Sequence, residues 1–308
     1  MTVVETFDHP GLIYRTFDEY LYGTTTFVRS AVEAGEPVLV AVPEPNLTRL
    51  REALSGLSGV DFADMAVAGR NPGRILPGVL LRFAAAHAGR RVAIIGEPIW
   101  PARTAVEYPA CAAHEAMINA VFQGRDAAIL CPYDATGLEL SRLHDAWRTH
   151  PVMIVGGARR PSPWYADPFA AAADFNRPLP DVPAYADALA YHDVSCLTTI
   201  RRFVTGRATA AGLSADRADD LVAAVNELAE NTLVHTSGGG AVSVWREPGL
   251  LVCQIDDHGY LADPFAGRIP PDPRTEGGRG LILAHQLCDL VRIHARDDGT
   301  SIRLHMGG

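Results

Sequence analysis

The chain has 308 residues, of which 48% are hydrophobic and 20% are charged, the composition of an ordinary folded protein with about two domains. Its formal net charge of −9 argues against a general nucleic-acid-binding surface. All 27 basic residues are arginine, which excludes phosphate-loop enzymes, kinases with a strand lysine and Schiff-base enzymes, because each of these classes needs a lysine.

The cysteines and the N-terminus bear on the cellular compartment. The number of cysteines is odd and no pair has metal-ligand spacing, which predicts reduced, mostly buried thiols rather than a disulfide framework or a zinc site. The first ten residues lack the basic start and apolar run of a signal peptide. No apolar stretch approaches the roughly 18 residues of a membrane-spanning helix, so the sequence predicts a cytoplasmic protein. The cysteines are Cys111, Cys131, Cys196, Cys253 and Cys288.

Residues 1–157 alternate between short apolar runs and amphipathic segments. Strands are predicted at residues 37–42, 91–95, 127–131 and 152–155, with helices between them that include residues 46–57 and 108–122. Apolar strands separated by helices indicate a parallel sheet covered on both faces, and therefore an α/β domain. Residues 158–183 are rich in proline and glycine and are predicted to be a linker.

Residues 184–308 have a different pattern. The predicted elements are a short strand at 194–196, helices at 197–211 and 215–235, an antiparallel hairpin at 241–246 and 250–256, a helix at 281–287, and strands at 289–295 and 300–305. Helices followed by mostly antiparallel strands predict an α+β sandwich of one sheet and one helix layer.

Two polar residues stand four positions apart on the predicted helix 215–235. Glu227 and Asn231 therefore share one helix face. A carboxylate beside an amide suits a hydrated Mg²⁺ that is held partly by phosphates, with the carboxylate free to accept a proton. Taken alone, such a pair is more often simply solvated.

Two further segments suit other parts of a nucleotide. The strand 250–256 runs into Asp257 and Gly259, so that a carboxylate at the strand end can accept a hydrogen bond from an exocyclic amine such as that of adenine. The glycine-rich residues 276–280 open a helix, whose first N–H groups and positive dipole end can bind phosphate. Each segment alone is more often an ordinary turn or loop.

The order of these three segments, followed by a closing strand that contains Thr300, resembles the GHKL (Bergerat-fold) ATPase domain over residues 190–306. Within that superfamily, residues 226–236 (NELAENTLVHT) and 277–290 (GGRGLILAHQLCDL) look most like the anti-sigma-factor serine kinases of the RsbW type. The resemblance implies ATP and Mg²⁺ as cofactors.

The resemblance also implies a role for each matching position. Asn231 would hold Mg²⁺, and Glu227 would be the catalytic general base. Asp257 would read adenine, with Gly259 as the glycine of its segment. The other nucleotide-binding positions would be Gly278 and Gly280 on the phosphate side and Thr300 near the adenine.

Two features depart from related patterns. The usual second glycine of the Asp-x-Gly-x-Gly segment is Leu261 here, which predicts a stiffer or differently shaped loop on the adenine side. A histidine kinase would share the ATPase fold, but it needs a phosphoacceptor histidine on a helical hairpin. His192 lies at the entrance of the domain, and no two-helix segment is predicted around it.

The first half has polar segments of its own. Residues 96–100 and 131–134 follow predicted strands, at the sheet edge where open α/β folds bind ligands. His114, Glu115 and Asn119 on the helix between them either face the same crevice or are ordinary core and surface residues. Five segments, residues 9–16, 35–42, 96–103, 114–119 and 130–134, look like a MEDS domain over residues 8–155. This sensory module is similar in fold to RecA/KaiC domains but lacks their phosphate loop.

The pairing of a MEDS module with an RsbW-like domain implies a bacterial regulator of alternative sigma factors. Such a protein would bind Mg·ATP and phosphorylate a Ser or Thr of a STAS-type anti-sigma-factor antagonist, under control of its sensory domain. A sigma factor would be a second partner, nucleic acid and membranes would not be partners, and a homodimer stays open. The alternative is a binding module in which ATP shapes a surface that sequesters a sigma factor and no phosphate is transferred.

Overall fold

The structure, a computed structural model, describes residues 7–236, 238–271 and 278–308. The chain separates into two compact units, with the division between Phe175 and Asn176. Each unit is built around one β-sheet.

The first unit combines eight strands with helices. Its strands are β1 (Phe7–Asp8), β2 (Pro10–Tyr14), β3 (Val38–Val42), β4 (Val60–Asp64), β5 (Val92–Gly96), β6 (Ala127–Asp134), β7 (Val152–Val155) and β8 (Ala158–Pro161). Its helices are α1 (Phe17–Glu33), α2 (Asn46–Ala53), α3 (Met65–Ala68), α4 (Leu81–Ala86), α5 (Tyr108–Phe122), α6 (Leu140–Thr149) and α7 (Pro168–Ala173). A 3₁₀ turn (Pro72–Arg74) and a π-helical turn (Ile75–Leu80) precede α4.

The strand order of this sheet is β4-β3-β5-β6-β2-β7-β8, and β1 also pairs with β6. All pairs are parallel except β7 with β8. Strands β2, β3 and β5 are buried at every residue, because both faces of the sheet are covered. The predicted α/β architecture is confirmed.

Strand β2 lies inside the sheet although the sequence did not predict it. It begins with Pro10 and Gly11, which are unusual in a central strand. A Cβ at Gly11 would lie 2.8 Å from the side chain of Met153 on the neighbouring strand β7. Close packing between the two strands therefore explains this glycine, and the sequence alone did not reveal it.

The predicted linker, residues 158–183, is partly structured. Strand β8 pairs with β7, and Asp167 caps α7 by accepting hydrogen bonds from two N–H groups of its first turn. Asn176, in the second unit, exchanges two hydrogen bonds with the backbone of Ala295. The proline and glycine content concealed these contacts, because they are made with distant parts of the chain. The domain boundaries at residues 157 and 184 stay predictions.

The second unit contains eight regular elements in its described residues. They are β9 (Asp187–Tyr191), α8 (Leu197–Ala211), α9 (Ala215–His235), β10 (Gly240–Glu247), β11 (Leu250–Asp257), α10 (Gly280–Leu287), β12 (Leu290–Arg296) and β13 (Gly299–Gly307). The sheet is antiparallel with the order β12-β13-β11-β10-β9. The helices pack on the sheet: Val225 and Leu228 of α9 share one core with Val242, Ile255 and Leu304. The predicted α+β sandwich is confirmed.

The short strand predicted at residues 194–196 is wrong. Val194–Cys196 forms a 3₁₀ turn, because the Asp193 carboxylate accepts a hydrogen bond from the N–H of Ser195 (2.8 Å) and caps it. Strand β9, at one edge of the sheet, ends just before this turn.

Two remaining predictions concern thiols and membranes. All five cysteines are free, and all except Cys196 are buried, as expected. Within the described ranges, none of the helices is long and apolar enough to cross a membrane.

Limited proteolysis should cut the chain first between residues 177 and 186. This stretch has no described helix or strand, whereas residues 158–175 are held by β8 and α7. A protease without a preference for basic residues suits the test, because proline follows Arg177. We expect two stable fragments on a gel. First cuts inside either sheet would contradict the view that the two units are separable.

Candidate functional site

Helix α9 carries Glu227 and Asn231 on one face. The helix begins after Ser214, whose side chain accepts a hydrogen bond from the N–H of Arg217 (3.3 Å). Its apolar face is buried in the core of the second unit. Glu227 and Asn231 are half-buried at the border of that apolar face.

The start of α10 lies directly against these two side chains. A Cβ built on Gly280 would lie 2.6 Å from Nδ2 of Asn231 and 3.4 Å from Cβ of Glu227. Only glycine therefore lets the backbone of α10 approach this closely without displacing Asn231.

The residues just before α10 favour ligand binding at its first turn. Gly278 has a φ of +74°, a left-handed conformation that suits glycine. Among the described residues, no side-chain cap bonds to the start of the helix, where Arg279 is the N-cap residue. The first N–H groups of an α-helix have no acceptor within the helix, which is why a helix N-terminus suits a phosphate. Glu276 and Gly277, the start of the predicted glycine-rich segment, lie outside the described residues.

Asp257, the last residue of β11, faces helix α9. Its Oδ2 accepts a hydrogen bond from Thr232 Oγ1 (2.8 Å), and its Oδ1 accepts one from the N–H of Gly259 (2.8 Å). The preceding residue, Asp256, accepts hydrogen bonds from Gln254 on its own strand and from Ser301 of β13 instead. Successive strand residues point to opposite faces, so Asp257 is the carboxylate on the helix side.

The loop after Asp257 is held by strand β13. Thr300 pairs with Asp257 in the sheet, and its Oγ1 donates a hydrogen bond to the C=O of Gly259 (2.6 Å). A Cβ on Gly259 would lie 2.6 Å from the methyl carbon of Thr236, at the end of α9. The loop thus needs a glycine where α9, β11 and β13 meet.

Six of the seven predicted site residues form two groups along α9, and the seventh, Gly278, lies two residues before Gly280. One group is Glu227, Asn231 and Gly280; the other is Asp257, Gly259 and Thr300. Thr232 joins them, because it follows Asn231 on the helix and donates to Asp257. Thr232 is not among the residues predicted from the sequence, because its spacing carries no signal of its own and its role depends on a contact 25 positions away.

The two groups fit the parts of a nucleotide with its metal. The Asn231 amide and the Glu227 carboxylate offer the oxygen ligands that Mg²⁺ prefers. The first turn of α10 offers N–H groups for phosphate, and the Gly280 contact is a cradle that a Cβ would fill. The Asp257 carboxylate has lone pairs beyond its two hydrogen bonds, so it can also accept one from an exocyclic amine.

The structure bears on Leu261, which replaces the second glycine of the Asp-x-Gly-x-Gly segment, and on His192, the candidate phosphoacceptor of a histidine kinase. The side chain of Leu261 is partly buried and packs against the hydrophobic core, which restrains the loop more than a glycine would. His192 is exposed and directly follows strand β9, and no helical hairpin precedes it within the described chain. The element that a histidine kinase needs around its phosphoacceptor is therefore not found there.

In the first unit, Glu97 is buried directly after strand β5. Its carboxylate accepts a hydrogen bond from Tyr20 Oη (3.0 Å), and Asn46 Nδ2 lies 3.4 Å from both carboxylate oxygens. Burial raises the pKa of Glu97 to about 8, although the Tyr20 and Asn46 hydrogen bonds lower it. A perturbed carboxyl group at the carboxyl ends of parallel strands marks a candidate ligand site.

Most of the other residues singled out in this unit lie in the core. Glu115 and Asn119 are buried on α5, and Tyr133 is buried with its ring edge-on to His150. Trp100 is half-buried under the guanidinium group of Arg103, 4.1 Å from the ring centre. A separate open cavity of about 810 Å³ is lined by α1 and by residues of β2, β5, β6 and β7.

The buried Glu97 predicts a pH dependence of stability. Its folded-state pKa of about 8 lies above the ordinary 4.5, so the folded state holds a proton that the unfolded state releases between these values. This stabilising contribution is fully present below pH 4.5 and is lost as the pH rises through about 8. In the Glu97→Gln variant, the change in the free energy of unfolding between low and high pH should be smaller than in the wild type by on the order of 1–4 kcal/mol.

The measurement is the free energy of unfolding in denaturant, at several pH values between 5 and 8, for the wild type and the variant. The matched control is Glu33→Gln, because Glu33 is an exposed residue of α1. If the free energy of unfolding changes with pH in the same way for the wild type and the Glu97→Gln variant, the raised pKa of Glu97 is contradicted.

Known protein families match both units. The MEDS family (MEthanogen/methylotroph, DcmR Sensory domain) matches residues 8–151, and the histidine kinase-like ATPase domain family matches residues 192–306. No curated protein matches the chain. Among solved structures, the RsbU and RsbW domains of Rv1364c from Mycobacterium tuberculosis align with 19% identity and a TM-score of 0.31. That alignment covers 41% of this chain and 34% of the other, so the chain spans about a third of the length of that structure.

The two family matches agree with the fold of each unit. The first unit has a mostly parallel α/β sheet, and the second has an antiparallel sheet with helices. An ATPase domain of the histidine kinase-like family implies ATP binding, usually with Mg²⁺. The chain therefore joins an N-terminal MEDS domain to a C-terminal ATPase domain of the histidine kinase-like family.

Proposed function

We propose that the protein is a cytoplasmic regulator of an alternative sigma factor, in which the C-terminal domain is a serine/threonine kinase. It uses Mg·ATP to phosphorylate a Ser or Thr of a STAS-type anti-sigma-factor antagonist, and the N-terminal MEDS domain controls this activity. A sigma factor is the second partner. The family match to a kinase-like ATPase domain and the RsbW-like segments around Asn231 and Gly280 support the proposal.

One observation carries the proposal: Glu227 and Asn231 converge on the N-terminus of α10. A carboxylate side chain, an amide side chain and the first turn of a helix that meet at Gly280 are the groups that phosphoryl transfer needs for positioning and charge neutralisation. Asp257 is held by Thr232, the residue that follows Asn231 on α9, so the carboxylate that would read adenine is fixed relative to the residue that would hold the metal.

Each residue of the site has its own role in this reaction. Mg·ATP supplies the phosphoryl group that is transferred. Asn231 holds the metal, and the amides after Gly278 and at Gly280 bind phosphate oxygens. Glu227 accepts the proton of the attacking hydroxyl. Asp257, positioned by Thr232 and the Gly259 amide, binds the adenine amine.

The alternative is a nucleotide-dependent binding module that sequesters a sigma factor without phosphate transfer. The presence of Glu227 favours the kinase, because nucleotide binding needs an amide and an adenine-reading carboxylate but no proton acceptor. The packed Leu261 favours the binding module slightly, because a restrained loop exchanges nucleotide less readily.

Asp257→Asn should lower the affinity for ATP by roughly tenfold or more, because a lost charge-assisted hydrogen bond costs about 1.5–3 kcal/mol. The preference for ATP over GTP should narrow as well. Titration calorimetry with each nucleotide and Mg²⁺ measures both effects, and circular dichroism checks the fold. The matched control is Asp256→Asn, whose carboxylate is engaged by Gln254 and Ser301. A wild type that binds neither ATP nor ADP at millimolar concentration would contradict the nucleotide site.

Glu227→Gln separates the kinase from the binding module. Loss of a general base lowers transfer by roughly 10²–10⁴-fold, while the affinity for ATP should stay within a few-fold. Asn231→Ala should instead weaken Mg·ATP binding, because it removes a metal ligand. The readouts are phosphate incorporation into a purified STAS protein and nucleotide affinity. The control is Glu230→Gln, an exposed position on the same helix.

The outcomes of this experiment are distinct. If the Glu227→Gln variant transfers phosphate as fast as the wild type, Glu227 is not the base. If the wild type binds ATP and the STAS protein but transfers no phosphate, the chain is a binding module.

A further inference from the structure

Four buried side chains of the MEDS domain converge at one point. They come from four places in the fold: the junction of β1 and β2, helix α5, strand β6 and the end of α6. One potential ligand atom from each side chain lies within 4.8 Å of all the others. The four residues, called the His–Glu–Cys cluster below, are His9, Glu115, Cys131 and His150.

The spacing of these atoms matches a small tetrahedral metal site. Oε2 of Glu115 lies 3.1 Å from Nε2 of His150 and 3.6 Å from Nε2 of His9. Sγ of Cys131 lies 3.5 Å from Nε2 of His9. Zinc bonds of 2.0–2.3 Å in tetrahedral geometry separate the ligand atoms by roughly 3.3–3.8 Å, so the cluster needs only small shifts to close around an ion.

The tautomer of His150 is set by its other ring nitrogen. Nδ1 of His150 lies 2.8 Å from the C=O of Ala146. A carbonyl oxygen only accepts, so Nδ1 carries the proton and donates it. In a neutral ring, Nε2 then presents a lone pair toward the Glu115 carboxylate.

The tautomer of His9 is set through Asn119. The Asn119 amide nitrogen donates to the C=O of Thr149 (2.7 Å) and to the C=O of Ala116 (3.2 Å), which fixes the orientation of the amide. Its oxygen Oδ1 therefore accepts from Nδ1 of His9 (3.0 Å). Nε2 of His9 therefore carries a lone pair that faces the cluster. Metal-binding histidines are oriented in the same way, by a hydrogen bond from their other ring nitrogen.

The result is a group of acceptors that face one another in a buried space. Within the described chain, neither oxygen of Glu115 nor Nε2 of His150 has a hydrogen-bond partner, although all three atoms are buried. These acceptors could be partly satisfied without an ion: a proton on Nε2 of His150 would relieve one contact, and the Cys131 thiol can donate to Nε2 of His9 (3.5 Å), but an oxygen of Glu115 would still lack a partner. A cation at the centre satisfies all of them, and buried polar atoms without partners are costly.

We propose that His9, Glu115, Cys131 and His150 bind a divalent transition-metal ion, for which Zn²⁺ is the best fit. Two neutral imidazoles, a carboxylate and a thiolate form a ligand set typical of zinc, and the two negative ligands balance the charge of the ion. Binding releases the thiol proton of Cys131 to solvent, because the thiolate is the ligand.

Four protein ligands leave no open position for a substrate or an activated water molecule, so the ion acts on the structure of the domain. It links residues 9 and 150, which flank most of the parallel sheet. Loss of the ion would therefore loosen β1, α5, β6 and the end of α6 together. The proposal does not depend on the kinase activity of the C-terminal domain.

The test uses the full chain without a histidine tag, purified under reducing conditions. Because the cluster is buried, the protein is unfolded with chelator, desalted and refolded with or without Co²⁺ or Zn²⁺. We expect one Co²⁺ per chain, with the visible absorption of a tetrahedral site and a thiolate-to-cobalt charge-transfer band. Zn²⁺ should displace Co²⁺ and raise the thermal unfolding midpoint, since an ion that binds only the folded state stabilises it.

Two cysteine variants identify the ligand. Cys131→Ser should remove the charge-transfer band and lower the metal affinity by at least roughly tenfold. Cys111→Ser is the matched control, because Cys111 is equally buried in the same domain but lies outside the cluster. Glu115→Gln should lower the affinity and keep the charge-transfer band at saturating Co²⁺.

Three results would overturn the proposal. The refolded wild type could bind no Co²⁺ above the level of a protein without the domain, which would make the cluster a buried histidine–glutamate network. Cys131→Ser could leave the charge-transfer band unchanged. The third result is a metal content that is the same for the wild type and all cluster variants. If a variant fails to fold, the stoichiometry and spectrum of the wild type still decide the question.

Discussion

The close approach of α10 to α9 is the contact on which the C-terminal site depends. Because Gly280 has no side chain, the amide end of one helix reaches the Asn231 and Glu227 side chains of the other. Thr232, one residue further along α9, holds Asp257 on the neighbouring strand. Both groups of site residues are therefore positioned by the same helix, because Asn231 and Thr232 are adjacent on α9 and point in different directions from it.

The two domains bury their polar groups in different ways. In the C-terminal domain, Glu227, Asn231 and Asp257 are half-buried, which suits a ligand that binds and leaves. In the MEDS domain, the His–Glu–Cys cluster is fully enclosed, which suits an ion that exchanges only when the domain opens locally. The carboxyl group of Glu97 is a third case, in which burial favours the neutral form.

The sequence predicted elements best where the pattern was local. The apolar run that became β3 and the periodic segment that became α9 were both recognised, because one face or both faces of each are buried. The sequence pattern did not predict β2, whose Gly11 is explained only by Met153 on the neighbouring strand. It also failed for the turn Val194–Cys196, where capping by Asp193 outweighs the β-branched and small residues.

The sequence by itself determined the two architectures and the pairing of Glu227 with Asn231, because helix and strand periods place residues on faces without reference to the rest of the chain. Only the tertiary structure decided which residues meet across elements. His9 and Cys131 are 122 positions apart and meet because β2 and β6 are neighbours in the sheet. No spacing rule reports such a contact, since it depends on strand order and on which face each strand turns toward the helices.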